Sequence, residues 1–134
     1  MFDYQKAKAV SKSVFLLSKG FPKEETYSLT DQIRRSSRSI GAQLAEAWAK
    51  RRYEKHFVSK LTDSDGEQME TQHWISEALD CGYISQDEGV KLTTALLEIG
   101  RMLASMIEKA DSFCGSIDYA LREPSAEYFT GPSN

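Results

Sequence analysis

Little in this chain of 134 residues lends itself to cross-linking, metal binding or membrane insertion. The two cysteines, Cys81 and Cys114, are far apart and form no CxxC pair. That argues against a disulfide or zinc framework and points to a reducing, cytoplasmic setting. No run approaches the ~18 apolar residues of a membrane helix, and the opening MFDYQKAKAV lacks the apolar core of a signal peptide. Of the three prolines, Pro22 falls in a polar loop and Pro124 and Pro132 in a polar tail. Strand-like alternation is absent, and no glycine-rich loop has the spacing that cradles phosphate.

What is present is an ordinary globular composition, 40% hydrophobic and 28% charged, in a chain of one-domain length. The net charge of -3 hides an asymmetry. Residues 31–60 carry eight Lys/Arg against three acids, whereas residues 61–90 carry eight acids and neither Lys nor Arg. The whole-chain balance argues against a generic nucleic-acid binder, while the local balance leaves room for a basic patch.

Apolar periodicity predicts an all-α, antiparallel up-and-down four-helix bundle over residues 1–115. The first helix spans Tyr4–Lys19, with Asp3 as N-cap and a stripe of Ala7, Val10, Val14, Leu17 and Phe21. Gly20 and Phe21-Pro22 stop it, and Pro22–Tyr27 is loop. The second helix starts at Ser28 or Thr30 and ends near Ala49, its stripe being Leu29, Ile33, Ile40, Leu44 and Ala47 with Ser36 and Ser37 in the gap. Gly41 inside it costs about 1 kcal/mol relative to alanine and suggests a close backbone approach. The short Lys50-Arg51-Arg52 connection makes the third helix, Tyr53–Asp80, antiparallel to the second. That helix turns Phe57, Leu61, Gln68, Ile75 and Leu79 to one side, but its middle is unusually polar. Gly82 reads as a left-handed cap, and Ser85 with Glu88 as a capping box. In the fourth helix Leu92, Leu96, Ile99, Leu103, Met106, Ala110 and Phe113 alternate steps of four and three, ending at Gly115. Leu97 and Ile107 add a second apolar edge, wider than one core needs, which suggests a subunit interface. Residues 116–134 read as a flexible tail.

No catalytic constellation emerges. Ser36, Ser37 and Ser39 lack a neighbouring histidine or a nucleophile elbow. Glu70 and His73 have the E-x-x-H spacing of di-iron helices, but the remaining ligands are missing. Asp63-x-Asp65-Gly66 lacks the closing glutamate of a calcium loop. The reading is therefore no enzyme, no metal, no cofactor and no small-molecule substrate. Antiparallel packing about Arg51 sets residue i opposite a residue near 102 minus i. That places Arg38 level with Ser64, between Asp63 and Asp65, and Arg35 level with Glu67, as register-setting ion pairs. Lys50, Arg51, Arg52 and Lys55 at the turn have only Glu54 as an acidic neighbour, and so form the candidate nucleic-acid contact.

The segment Tyr27-x-Leu29-x-x-Gln32-Ile33-Arg34-Arg35-x-x-x-Ser39-Ile40, followed by Ala45-Glu46, resembles the signature of the 23S ribosomal RNA intervening-sequence proteins. Phe57, Leu61, Gly66, Glu70, Ala78, Leu79 and Gly82-Tyr83-Ile84 continue the resemblance, and Ala47 departs from it where a glycine is usual. The resemblance covers about Tyr4 to Phe113. It implies a four-helix bundle forming a ring-like homopentamer whose biochemical role is unsettled. It also implies kinship with the accessory protein of diversity-generating retroelements, a basic pentamer that works with a reverse transcriptase and nucleic acid. Two functions follow as expectations. One is a non-enzymatic homo-oligomeric interaction protein. The other is an accessory protein that binds RNA or DNA, or a nucleic-acid-handling protein, through the basic turn repeated around the ring.

Overall fold

The computed structural model describes residues 2–114, and every element among them is helical: α1 (Phe2–Ser18), α2 (Asp31–Ala49), α3 (Glu54–Asp80), α4 (Gln86–Glu108) and α5 (Ala110–Cys114). Gly115, the expected helix stop, and the 116–134 tail lie outside the described residues. Each long helix runs antiparallel to its neighbours. Arg34 meets Ser18 across α1 and α2, Ser36 meets Thr71 across α2 and α3, and Lys6 meets Glu98 across α1 and α4.

The stripes read from the sequence form the core. Ile33, Ile40 and Leu44 of α2, Phe57, Leu61 and Ile75 of α3, and Leu96, Ile99 and Leu103 of α4 are all fully buried. Burying each such side chain stabilises the fold by roughly 1.5–3 kcal/mol. Leu17, Leu79 and Phe113 are only partly buried and pack against the edge of this core.

Local chemistry sets several boundaries. At the end of α3 the Gly82 N–H donates to the Leu79 carbonyl and the Tyr83 N–H to the Ala78 carbonyl. Gly82 has φ 75°, so this is the expected glycine cap in Schellman form. Ser85 and Glu88 exchange reciprocal hydrogen bonds of 3.1 and 2.8 Å, which makes the predicted capping box real.

Four expectations need correction. Asp3 does not cap α1, which begins at Phe2; its side chain turns inward and is only 5% exposed. The segment expected as loop, Pro22–Tyr27, holds a 3₁₀ turn at Lys23–Glu25 and opens a π-turn at Thr26–Thr30 that leads straight into α2. There the Glu25 carboxylate accepts hydrogen bonds from the Ser28 hydroxyl and the Leu29 N–H. The fourth helix breaks at Lys109, and α5 carries the last buried positions, Ala110 and Cys114. Gly41 makes no unusually close approach: an added Cβ would sit 3.8 Å from Tyr4 and 3.9 Å from Ala7, ordinary contact distances.

Candidate functional site

The α2–α3 contact is a polar seam. Ser36, Ser64 and Thr71 are fully buried, and Gln68 nearly so. Ser64 donates to the Ile40 carbonyl at 2.8 Å, and Gln68 donates to Asp65 at 2.9 Å. Each buried hydroxyl has a partner, as a dry interior demands. The wider edge of the seam carries Arg35, which reaches Glu70 at 2.6 Å and Glu67 at 3.3 Å. The Ser36–Thr71 and Ile40–Ser64 pairs set the register roughly one helical turn further along α3 than the expected one.

That seam divides the expected ion-pair residues. Arg35 with Glu67 forms as read from the sequence, and Glu70 joins it. Arg38 pairs with neither Asp63 nor Asp65. Its guanidinium lies 5.5 Å from the centre of the Phe15 ring, on the α1 side of α2. The reason is azimuth: Arg38 follows Arg34 by one i, i+4 step, and Arg34 faces α1. Asp63 instead lies 3.8 Å from Lys60, which also reaches Glu46 at 3.1 Å. Asp65 accepts from Gln68. The Trp74 indole N–H at 3.0 Å and Arg35 hold the Glu70 carboxyl below the usual carboxylate range. Glu70 Oε2 is engaged by Arg35 and Trp74, and His73 is exposed with its ring edge-on to Trp74. No cluster of three or more metal-ligating side chains occurs among the described residues.

At the basic turn, Lys50, Arg52 and Lys55 are exposed, but Arg51 is not the outward contact expected of it. Arg51 is 4% exposed, donates to the Trp48 carbonyl at 2.8 Å and stacks 4.1 Å from the Trp48 ring centre. A tight turn leaves one side chain pointing back over the end of its helix, and here the planar guanidinium finds an aromatic face.

Two surfaces went unread in the sequence. On the α1–α2 face, Phe15 is ringed by Lys19 at 4.9 Å, Arg34 at 4.8 Å and Arg38 at 5.5 Å. Arg34 is held there by a 2.7 Å hydrogen bond from its Nε to Ser18 Oγ. None of these three cations has an acidic partner among the described residues. On the α2–α3 side, an open groove of about 510 Å³ is lined by Glu25, Gln32, Trp74, Glu77 and neighbouring small groups, and no lysine or arginine lines it. The Ser28 and Tyr83 hydroxyls hold the Glu25 carboxyl below its usual range, and the same contact pushes the Tyr83 hydroxyl up to about 12. The available signal was the separation of charge along the chain: residues 4–23 hold five lysines and no acid, while residues 61–90 hold only acids. A second cavity, of about 320 Å³, opens between α1 and α4 beside Val10, Leu17 and Leu92.

Together these features define an all-helical bundle protein with a cationic α1–α2 face and an acidic α2–α3 groove. The chain belongs to the 23S rRNA-intervening sequence protein family, whose model matches residues 3–105. Among solved structures it is similar to a protein of unknown function from the S23 ribosomal protein family of Bacteroides thetaiotaomicron. The two share 26% identity with a TM-score of 0.73, over 79% of this chain and 98% of that one. No curated protein matches it. Among the described residues, no helix is long and apolar enough to cross a membrane.

Proposed function

We propose that this protein is a non-enzymatic, homo-oligomeric interaction module that presents a repeated helical surface to another macromolecule. The observation that carries this reading is the set of large apolar side chains turned outward. Val90 and Leu97, seven residues apart on α4, are 57% and 47% exposed, and Met69 of α3 is 60% exposed. Gly100 of α4 packs against Gln68 of α3, which sets Leu97 within about one helical turn of the level of Met69. A monomer gains nothing from such a stripe, whereas an assembly buries it. Family membership supports a ring, and a homopentamer is the form the resemblance implies. Light scattering after size exclusion tests the reading. Several subunits per particle are expected, and a clean monomer at micromolar concentration overturns it.

A second reading is RNA binding through Lys50, Arg52 and Lys55, supported by the exposure of all three side chains without an ion-pair partner among the described residues. Repeated around a ring, weak phosphate contacts sum and become steeply salt-dependent. Reversing Arg52 and Lys55 to glutamate is expected to abolish binding of a structured RNA at low salt. Binding that survives the change, or is absent in the wild type, rules this reading out.

A further inference from the structure

We infer that the α1–α2 face carries a binding site for the terminal phosphate of a soluble phosphorylated ligand, built by Lys19, Arg34 and Arg38 around Phe15. The site is separate from the outward apolar side chains and from the basic turn, and it stands independently of both.

Three cations converge on one half-buried ring. The Lys19 ammonium and the Arg34 and Arg38 guanidinium groups lie 4.9, 4.8 and 5.5 Å from the centre of Phe15. None has an ion-pair partner among the described residues. Like charges brought this close repel one another. The π-system of Phe15 attracts each cation and offsets part of that repulsion. A multiply charged anion seated among the three relieves the rest.

Arg34 is also held in place before any ligand arrives. Ser18 is 2% exposed; its hydroxyl donates to the Phe15 carbonyl at 3.0 Å and accepts from Arg34 Nε at 2.7 Å. One edge of the guanidinium is thus tied to a buried hydroxyl while its face rests on the ring. Its two Nη groups make no hydrogen bond among the described residues and are left to meet an incoming oxygen. A side chain ordered in advance loses less freedom on binding. Arg38, one i, i+4 step further along α2, and Lys19, the residue after Ser18, close the other sides.

Chemistry selects the ligand. A carboxylate offers two oxygens and a single charge, and so does a phosphate diester in a nucleic-acid backbone. A terminal phosphate offers three oxygens and, with a second pKa near ~6, close to two charges at neutral pH. It alone gives each converging cation an oxygen of its own, and the planar forks of two arginines suit it. The net charge of -3 further disfavours a long polyanion over a compact one.

Inorganic diphosphate is the smallest probe, since both its ends are terminal phosphates. Titrated calorimetrically into the full chain in about 0.05 M salt, it is expected to bind saturably with half-saturation below about 1 mM. Arg34→Lys and Ser18→Ala keep the charge of the site; the first removes the fork and the second releases it. Each is expected to weaken binding about tenfold, and Arg38→Gln at least as much, with helical content by circular dichroism unchanged. Arg38 is exposed, so its change keeps the test valid should Ser18→Ala disturb the fold. Absence of diphosphate binding at about 1 mM overturns the inference. So does binding that falls with Arg38→Gln but survives both charge-neutral changes, because diffuse charge then accounts for it. A wild type that ignores diphosphate yet takes up an RNA lacking a terminal phosphate assigns the face to nucleic-acid backbone, and the inference is wrong. Each result reads the same on a monomer or an assembly, so none bears on the proposed function.

Discussion

Ser36 and Thr71 meet hydroxyl to hydroxyl at 2.8 Å inside the buried α2–α3 seam. Each hydroxyl also has a backbone carbonyl within reach, Thr71 that of Glu67 at 2.8 Å and Ser36 that of Ile33 at 3.4 Å. The much shorter bond takes the Thr71 hydrogen and leaves Ser36 to donate between the two. Ser36→Ala removes that donor and leaves a buried oxygen short of a partner, at an expected cost of about 1 kcal/mol. Because the two side chains share one bond, Ser36→Ala with Thr71→Val is expected to cost less than the sum of the single changes. Urea unfolding followed by circular dichroism measures both, and strict additivity contradicts the pairing.

Gly66 and Gly89 are expected to respond oppositely to alanine. An added Cβ at Gly66 meets nothing within 4 Å, so the change raises stability by about 0.5–1 kcal/mol through helix propensity alone. At Gly89 the same atom falls 2.8 Å from Leu79 Cδ1 and 3.1 Å from its Cγ, so the whole side chain must move. Overpacking of this kind costs roughly 1–3 kcal/mol. Thermal unfolding separates the two signs.

Arg51 and Arg52 adjoin in sequence but not in role. Arg51→Ala removes a buried guanidinium stacked on Trp48, with an expected loss of about 2–4 kcal/mol. Arg52→Ala, at an exposed position, is expected to change stability by at most ~0.5 kcal/mol. Equal losses in denaturant midpoints contradict the placement of Arg51.

Asp3 and Glu70 should give opposite pH dependences. Burial raises the Asp3 carboxyl above its ordinary range, so ionising it costs more in the folded chain than in the unfolded one. That penalty grows as pH rises past about 3.9, the unfolded value. Asp3→Asn is therefore expected to exceed wild type in stability at neutral pH and to match it near pH ~3. For Glu70 the Trp74 indole and then Arg35 depress the carboxyl, so its contribution is present above about 4.3 and is lost as pH falls through the folded value. Trp74→Phe should flatten that acid limb. Plotted as differences from wild type, the stability of Asp3→Asn is expected to rise with pH and that of Trp74→Phe to fall, and differences that slope the same way count against these assignments.

The fold was largely legible because its signals are local. The α4 repeat from Leu92 to Met106 needs only period, and the Ser85–Glu88 box and the Gly82 cap need only neighbours three residues away. What escaped depends on azimuth and on the third dimension. Antiparallel pairing gives the level of Arg38 but not its side, and the i, i+4 step from Arg34 carried it to Phe15. Arg51 looked outward because a basic run in a turn is usually solvated, yet Trp48 offered it a buried face. The acidic groove joins Glu25 to Trp74 and Glu77 across some 50 positions of sequence, beyond any local pattern. Charge separation along the chain was the one trace of it.

The mass of the wild-type particle in dilute salt bears most directly on the account. A single species at several times the 15.1 kDa of one chain, in a small closed number of copies, is the predicted result. A particle of 15.1 kDa at micromolar concentration contradicts it.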